Sequence, residues 1–114
     1  MIQRFDVGAR LSEMAVHNGT VYLAGQVPAD PSRDMKGQTL DVLAQVDALL
    51  ARAGSDKARI LMAQIFIADL ADFAAMNEVW DAWVAAGSAP PRATVQARLA
   101  DPRWKLEIVV TAAL

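Results

Sequence analysis

The chain has no cysteine and a single histidine among its 114 residues. A disulfide scaffold, a thiolate zinc site and a cysteine nucleophile are therefore excluded, and a metal would need converging carboxylates that the sequence does not cluster. No metal and no cofactor are expected. Nor does charge of one sign dominate: 11 basic and 13 acidic residues are interspersed, with a net charge of -2. Such a chain carries no positive field to hold a phosphate backbone, so nucleic acid is not an expected partner. Long hydrophobic runs are missing too, and Met1 to Asp6 contains no apolar signal core, so no membrane partner is expected and the location is read as cytoplasmic. There is no internal repeat, low-complexity tract, phosphate loop, dinucleotide fingerprint or serine-nucleophile elbow.

What is present is ample apolar material. Hydrophobic residues make up 54 % of the chain, which excludes intrinsic disorder, and the length suits one domain over residues 1–114. Alanine contributes 23 of them, a composition suited to helices packed closely on a sheet.

The local pattern gives the order β-β-α-β-α-β-β. Glu13 to His17 and Thr20 to Val27 flank Asn18-Gly19, a pair suited to a two-residue type I′ hairpin. The turn-rich stretch from Pro28 to Gly37 is expected as a surface loop. A helix over Gln38 to Ala53 carries Leu40, Leu43, Val46 and Leu50 on one stripe, with Gly54 placed to cap it. Ile60 to Ile67 is apolar on both faces and reads as an interior strand. Asp69 can accept a backbone N–H before a second helix, which carries Phe73, Met76, Trp80 and Trp83 at core spacing and is ended by Gly87. After Pro90-Pro91, strands over Arg92 to Leu99 and Lys105 to Ala112 complete the chain. Helices on one face of such a sheet leave the opposite face, with Tyr22, Ala24, Thr94, Val109 and Thr111, apolar enough to favour a homo-oligomer.

Two residues stand out chemically. Arg92 begins a strand after a rigid chain reversal, on the face it shares with Thr94 and opposite Val95, and presents a fork that fits a carboxylate; the plainer reading is a rim arginine paired with a surface carboxylate. Glu107 lies between Leu106 and Ile108, pointing away from the helices, and either moves a proton beside a bound imine or forms an ion pair with Lys105, Arg98 or a neighbouring chain. His17, next to the hairpin turn, is expected to be exposed and without a catalytic partner. Gly25 ends a strand, where a missing side chain allows close approach to the backbone.

Several segments in fixed order, Val21-Tyr22-Leu23-Ala24-Gly25-Gln26-Val27-Pro28, Ala53-Gly54, Asp72 to Trp80, Pro91-Arg92-Ala93-Thr94-Val95 and Lys105-Leu106-Glu107-Ile108, resemble the RidA family, also called YjgF/YER057c/UK114, across nearly the whole chain. The resemblance implies a chorismate-mutase-like α+β fold, a mixed sheet with two helices on one face, assembled as a homotrimer around a central β-barrel. It implies clefts between subunits that take a small carboxylate or imino acid, and hydrolysis of 2-imino acids such as 2-iminopropanoate to 2-oxo acids and ammonia. On this resemblance the carboxylate-binding arginine is Arg92, the water-positioning glutamate Glu107, and the backbone beside the ligand that of Gly25. Thr94 stands where the family has a substrate-contacting cysteine, Leu11, next to Ser12, where deaminating members have a tyrosine, and Val109 where they have a second glutamate. The pocket is thereby less polar. Two functions compete: a deaminase with Arg92 and Glu107 as its catalytic pair, and a regulatory trimer that binds a small carboxylate without turning it over. Ribonuclease activity is disfavoured by the acid-leaning charge.

Overall fold

The computed structural model describes every residue from Met1 to Leu114. Its elements are β1 (Gln3–Phe5), β2 (Met14–His17), β3 (Thr20–Leu23), α1 (Met35–Ala53), β4 (Ile60–Ile67), α2 (Phe73–Trp83), β5 (Arg92–Gln96) and β6 (Leu106–Ala113). The strands form one sheet in the order β1-β2-β3-β6-β4-β5. Only β4 and β5 pair in parallel, because the crossover through α2 returns the chain in its original direction. This is the expected mixed sheet.

Asn18 and Gly19 take φ values of +49° and +73°, the left-handed pair that a type I′ turn requires, and β2 and β3 pair on either side in register. Helix α1 begins three residues before its expected start. Asp34 accepts a hydrogen bond from Gly37 N at 2.9 Å, and the end of the turn-rich stretch thereby becomes the first helical turn. Gly54, at φ +85°, closes α1 as anticipated. The buried stripe of α1 runs through Val42, Leu43, Val46, Leu49 and Leu50, while Leu40 is turned to solvent at 57 % exposure, a correction to its expected place in the core. Asp69 does cap, accepting from Ala71 N at 2.9 Å, but the cap belongs to a short 3-10 turn that leads into α2. Helix α2 ends at Trp83, ahead of Gly87, and Phe73 lies at its exposed rim while Met76, Val79 and Trp80 enter the core.

Both helices pack on one face of the sheet. Val42, Val46 and Leu50 of α1 and Met76 of α2 meet Ala63, Ile65, Ile67, Ile108 and Val110 in one continuous cluster of buried side chains. Burial alternates residue by residue along β6, so Leu106, Ile108, Val110 and Ala112 face the helices and Glu107, Val109, Thr111 and Ala113 face away. That second face is bare, with Tyr22, Met62 and Val95 between 41 % and 51 % exposed. No helix is long and apolar enough to cross a membrane.

Candidate functional site

The residues singled out in the sequence fall into two groups on opposite faces of the sheet. Gly25 and Glu107 form the first. Gln26 pairs with Ile108 across a bridge, so Gly25 lies on the bare face opposite Val109, and the Glu107 side chain reaches across to it. A Cβ on Gly25 would overlap the Glu107 Oε2 and lie 2.8 Å from its Cδ, so the absent side chain makes room for the glutamate's own carboxylate. Glu107 is half-buried and joins none of the chain's ion pairs, with neither Lys105 nor Arg98 reaching it.

The approach to this corner is held by neutral and charged polar contacts. Asp41 of α1 accepts from Ala29 N at 2.7 Å and Asp30 N at 3.1 Å, and Gln45 donates to the Val27 carbonyl at 3.0 Å, fixing the segment that follows Gly25. Burial pushes the Asp41 carboxyl up, but the hydrogen bonds from Gln45, Asp30 N and Ala29 N outweigh it and bring the group below the ordinary carboxylate range. Gln38 is fully buried and fully satisfied: its amide nitrogen donates to the carbonyls of Pro31, Arg33 and Arg103, and its oxygen accepts from Lys105 N at 2.8 Å. One side chain thus ties the loop after Gly25 to the entry of the Glu107 strand.

Arg92 and Thr94 form the second group, and their face is the opposite of the one expected from the sequence. The parallel register sets Arg92 against Ala63 and Thr94 against Ile65, both of which face the helices. Alternation shows which residues share a face but not which face is covered, and on this edge strand the apolar Val95 is the one left outside, 48 % exposed. The guanidinium of Arg92 lies over the Trp80 ring, 5.2 Å from its centroid, and the Phe73 ring, at 5.9 Å. All of the chain's ion pairs lie elsewhere, so the plainer expectation of a rim arginine neutralised by a surface carboxylate is not met. On the elements that frame it, the Thr94 Oγ1 of β5 and the Asn77 Oδ1 of α2 are buried with no hydrogen-bond partner.

Strand β4 separates the two groups. Arg92 is level with Ala63 and Val110, three residues along from Phe66 and Glu107, so strand geometry places their Cα atoms about 14 Å apart. One chain cannot close Arg92 and Glu107 on one small ligand. Leu11, exposed in the loop between β1 and β2, belongs to the opposite edge of the sheet from Arg92. His17 is exposed at the hairpin, and Trp80 is a core residue that also forms the floor under Arg92. Within the chain, an open cavity of about 810 Å³ lies instead at the far end of β5, lined by Gln96, Arg98, Leu99, Asp101 and Trp104 among others, and includes none of the four predicted residues.

The sequence matches the Endoribonuclease L-PSP family model over residues 1–114. It is 54 % identical over 114 residues to a RutC family protein of Haemophilus ducreyi, spanning 100 % of this chain and 97 % of that relative. The RutC family protein YoaB of Escherichia coli is 52 % identical over 113 residues, spanning 99 % of this chain and 98 % of that one. Among solved structures, a member of the YjgF protein family from Neisseria meningitidis superposes with a TM-score of 0.97 at 50 % identity, covering 99 % of this chain and 94 % of its own. A conserved Rid family protein from Yersinia pestis superposes with a TM-score of 0.88 at 28 % identity, covering 95 % of this chain and 90 % of its own.

Proposed function

The chain belongs to the Endoribonuclease L-PSP family, which takes in the YjgF, RutC and Rid proteins, and on that premise we propose that it hydrolyses reactive 2-imino acids in clefts shared between the subunits of a homotrimer. The observation that carries the reading is the state of Arg92: a guanidinium on an edge strand, laid over two aromatic rings, with no carboxylate of its own chain to neutralise it. Such a fork binds a small carboxylate by paired charge-assisted hydrogen bonds. The bare sheet face and the separation of Arg92 from Glu107 support association, because a neighbouring chain supplies what one chain cannot bring together.

In the proposed reaction Arg92 clamps the substrate carboxylate and Glu107 of an adjacent subunit holds a water against the imine carbon. With the imine nitrogen protonated, the water oxygen bonds to that carbon as Glu107 takes one of its protons and the C=N π electrons move to nitrogen, giving a neutral carbinolamine. The proton then passes to the nitrogen, the C–N bond breaks as ammonia leaves, and the hydroxyl proton departs to leave the 2-oxo acid. No cofactor enters. Imines of this kind react with water unaided, so holding the two reactants together is the main demand on the protein.

The test is competition for 2-iminopropanoate generated enzymatically and trapped with semicarbazide. Wild type should lower the trapped fraction, and Arg92→Ala should lose this effect about a hundredfold in kcat/KM, with Arg92→Lys intermediate because an ammonium cannot reproduce the fork. Equal trapping with and without wild type would remove the deaminase reading. One observation favours a second function: Leu11 offers no hydroxyl where deaminating relatives have a tyrosine. A carboxylate-binding regulatory trimer would bind pyruvate through Arg92 yet leave trapping unchanged. The family description names an endoribonuclease, but a net charge of -2 gives RNA little electrostatic attraction.

A further inference from the structure

Asn77 Oδ1 and Thr94 Oγ1 are buried side-chain oxygens without hydrogen-bond partners, and both belong to the elements that frame Arg92. Thr94 follows Arg92 by two residues on β5 and shares its face. Asn77 stands on α2 between Phe73 and Trp80, four residues after one and three before the other, on a single stripe of the helix. A guanidinium 5.9 Å from the first ring and 5.2 Å from the second lies across the residue between them. Buried polar atoms are rarely left unpaired, yet in the free chain neither oxygen takes a hydrogen bond from the guanidinium, which joins no ion pair of its own.

Arg92 carries five N–H donors, of which a bidentate carboxylate takes two. We propose that Asn77 is a positioning residue for Arg92: its amide oxygen, with the Thr94 hydroxyl, accepts the N–H groups that a bound carboxylate leaves free and so sets the angle of the fork. The inference rests on the carboxylate-binding reading above. A neutral acceptor is essential to it. An acidic side chain at this position would hold the guanidinium equally well but cancel the charge that attracts the ligand.

No titratable side chain approaches from β4, whose helix-facing residues here are Ala63, Ile65 and Ile67. On and beside α2, Glu78 is paired with Lys36 at 2.8 Å, and neither Asp72 nor Asp81 pairs with Arg92. On α1, Asp47 accepts from the Trp83 indole at 2.9 Å.

Asn77→Asp, nearly isosteric, turns the acceptor into a competitor. Its new carboxyl, followed by carbon-13 NMR, should titrate at least one pH unit below an ordinary aspartate, and return to the ordinary value when Arg92→Ala is added. Identical titration in both backgrounds would overturn the proposal. Pyruvate affinity should fall at least tenfold in Asn77→Asp at pH 7.5 and recover as the pH drops through the titration of that carboxyl, while wild type stays level and Asn77→Ser loses less than threefold. A loss in Asn77→Asp that does not change with pH would likewise overturn it, since disturbed helix packing has no such profile. Should the variant fail to fold, the Asn77 side-chain amide resonances of wild type decide: they shift on adding pyruvate if the proposal holds, and their indifference sinks it. If wild type binds no pyruvate at all, the functional reading fails, while the Arg92-dependent titration still decides whether Asn77 serves the guanidinium.

Discussion

The two faces of the sheet are made from the same strands and have opposite characters. On β6, Leu106, Ile108, Val110 and Ala112 are at most 1 % exposed beneath the helices, while their neighbours Glu107, Val109, Thr111 and Ala113 remain half-buried with nothing of their own chain above them. The covered face is a continuous core of buried side chains closed over by the two helices. The bare face mixes apolar side chains, Tyr22, Met62 and Val95 among them, with a carboxylate and small polar groups, a surface suited to meeting another protein surface. On the proposed function, folding is the business of one face, and association, with the Glu107 half of the chemistry, is assigned to the other. Arg92 is the exception that joins them, since it sits on the covered face but at an edge that only α2 reaches.

The sharpest break between the faces is made by placing the same charge on adjacent residues. Val110→Asp puts a carboxylate into the core, where it has no partner, and this should cost several kcal/mol and abolish the folded state. Val109→Asp places it on the bare face. That variant is expected to keep its far-ultraviolet circular dichroism but to fall from three chain masses to one in light scattering. Equal unfolding of both variants, or an unchanged mass for Val109→Asp, would end the division of labour between the faces.

A smaller effect separates Glu107 from Arg92. Gly25→Ala introduces a Cβ into the space now held by the Glu107 carboxylate, which must swing away, whereas Arg92 is two strands distant on the other face. Imine hydrolysis should fall about a hundredfold, the lower end of what one positioned proton-transfer group contributes, with pyruvate affinity changed less than twofold. A matching loss of affinity would mean that the two faces are coupled within one chain.

Much of this arrangement is legible in the residues because it is local. Asn18-Gly19 encodes its turn, Gly54 its cap, and Ile60 to Ile67 its interior place, each through chemistry that does not depend on the rest of the chain. What escapes is set at a distance. The face of Arg92 depends on the register with Ala63, which no periodicity in β5 reveals. Leu40 continues the three-and-four spacing of α1, yet the packed stripe is rotated toward Val42 and Leu49, and β1 is three residues held by pairing with β2 alone. Asn77 is ordinary in sequence; only its buried, unpartnered oxygen draws notice, although its spacing between Phe73 and Trp80 was a signal once Arg92 was known to lie under α2.

The least of the expected effects concerns the outer edge of the covered face, where β1 is fastened to α1 by Arg52 and Asp6. The guanidinium meets the carboxylate through two hydrogen bonds, at 2.7 and 3.1 Å, and lies 5.6 Å over the Phe5 ring. The hydrogen bond from Arg52 holds the Asp6 carboxyl below its ordinary value against a small opposing effect of burial. A group depressed in the folded state contributes stability that is present above its unfolded value, near 4, and is lost as the pH falls through the folded value. Asp6 has φ +54°, which asparagine also tolerates, so Asp6→Asn removes the charge without straining the turn. Thermal unfolding should show the variant slightly less stable at pH 7 and indistinguishable from wild type once the pH is below the folded value, with the difference at pH 7 shrinking as salt is added, because both side chains are about half exposed. A difference that persisted at low pH would assign the contact to packing on Phe5, and the edge of the covered face would then be held by the same forces as its centre.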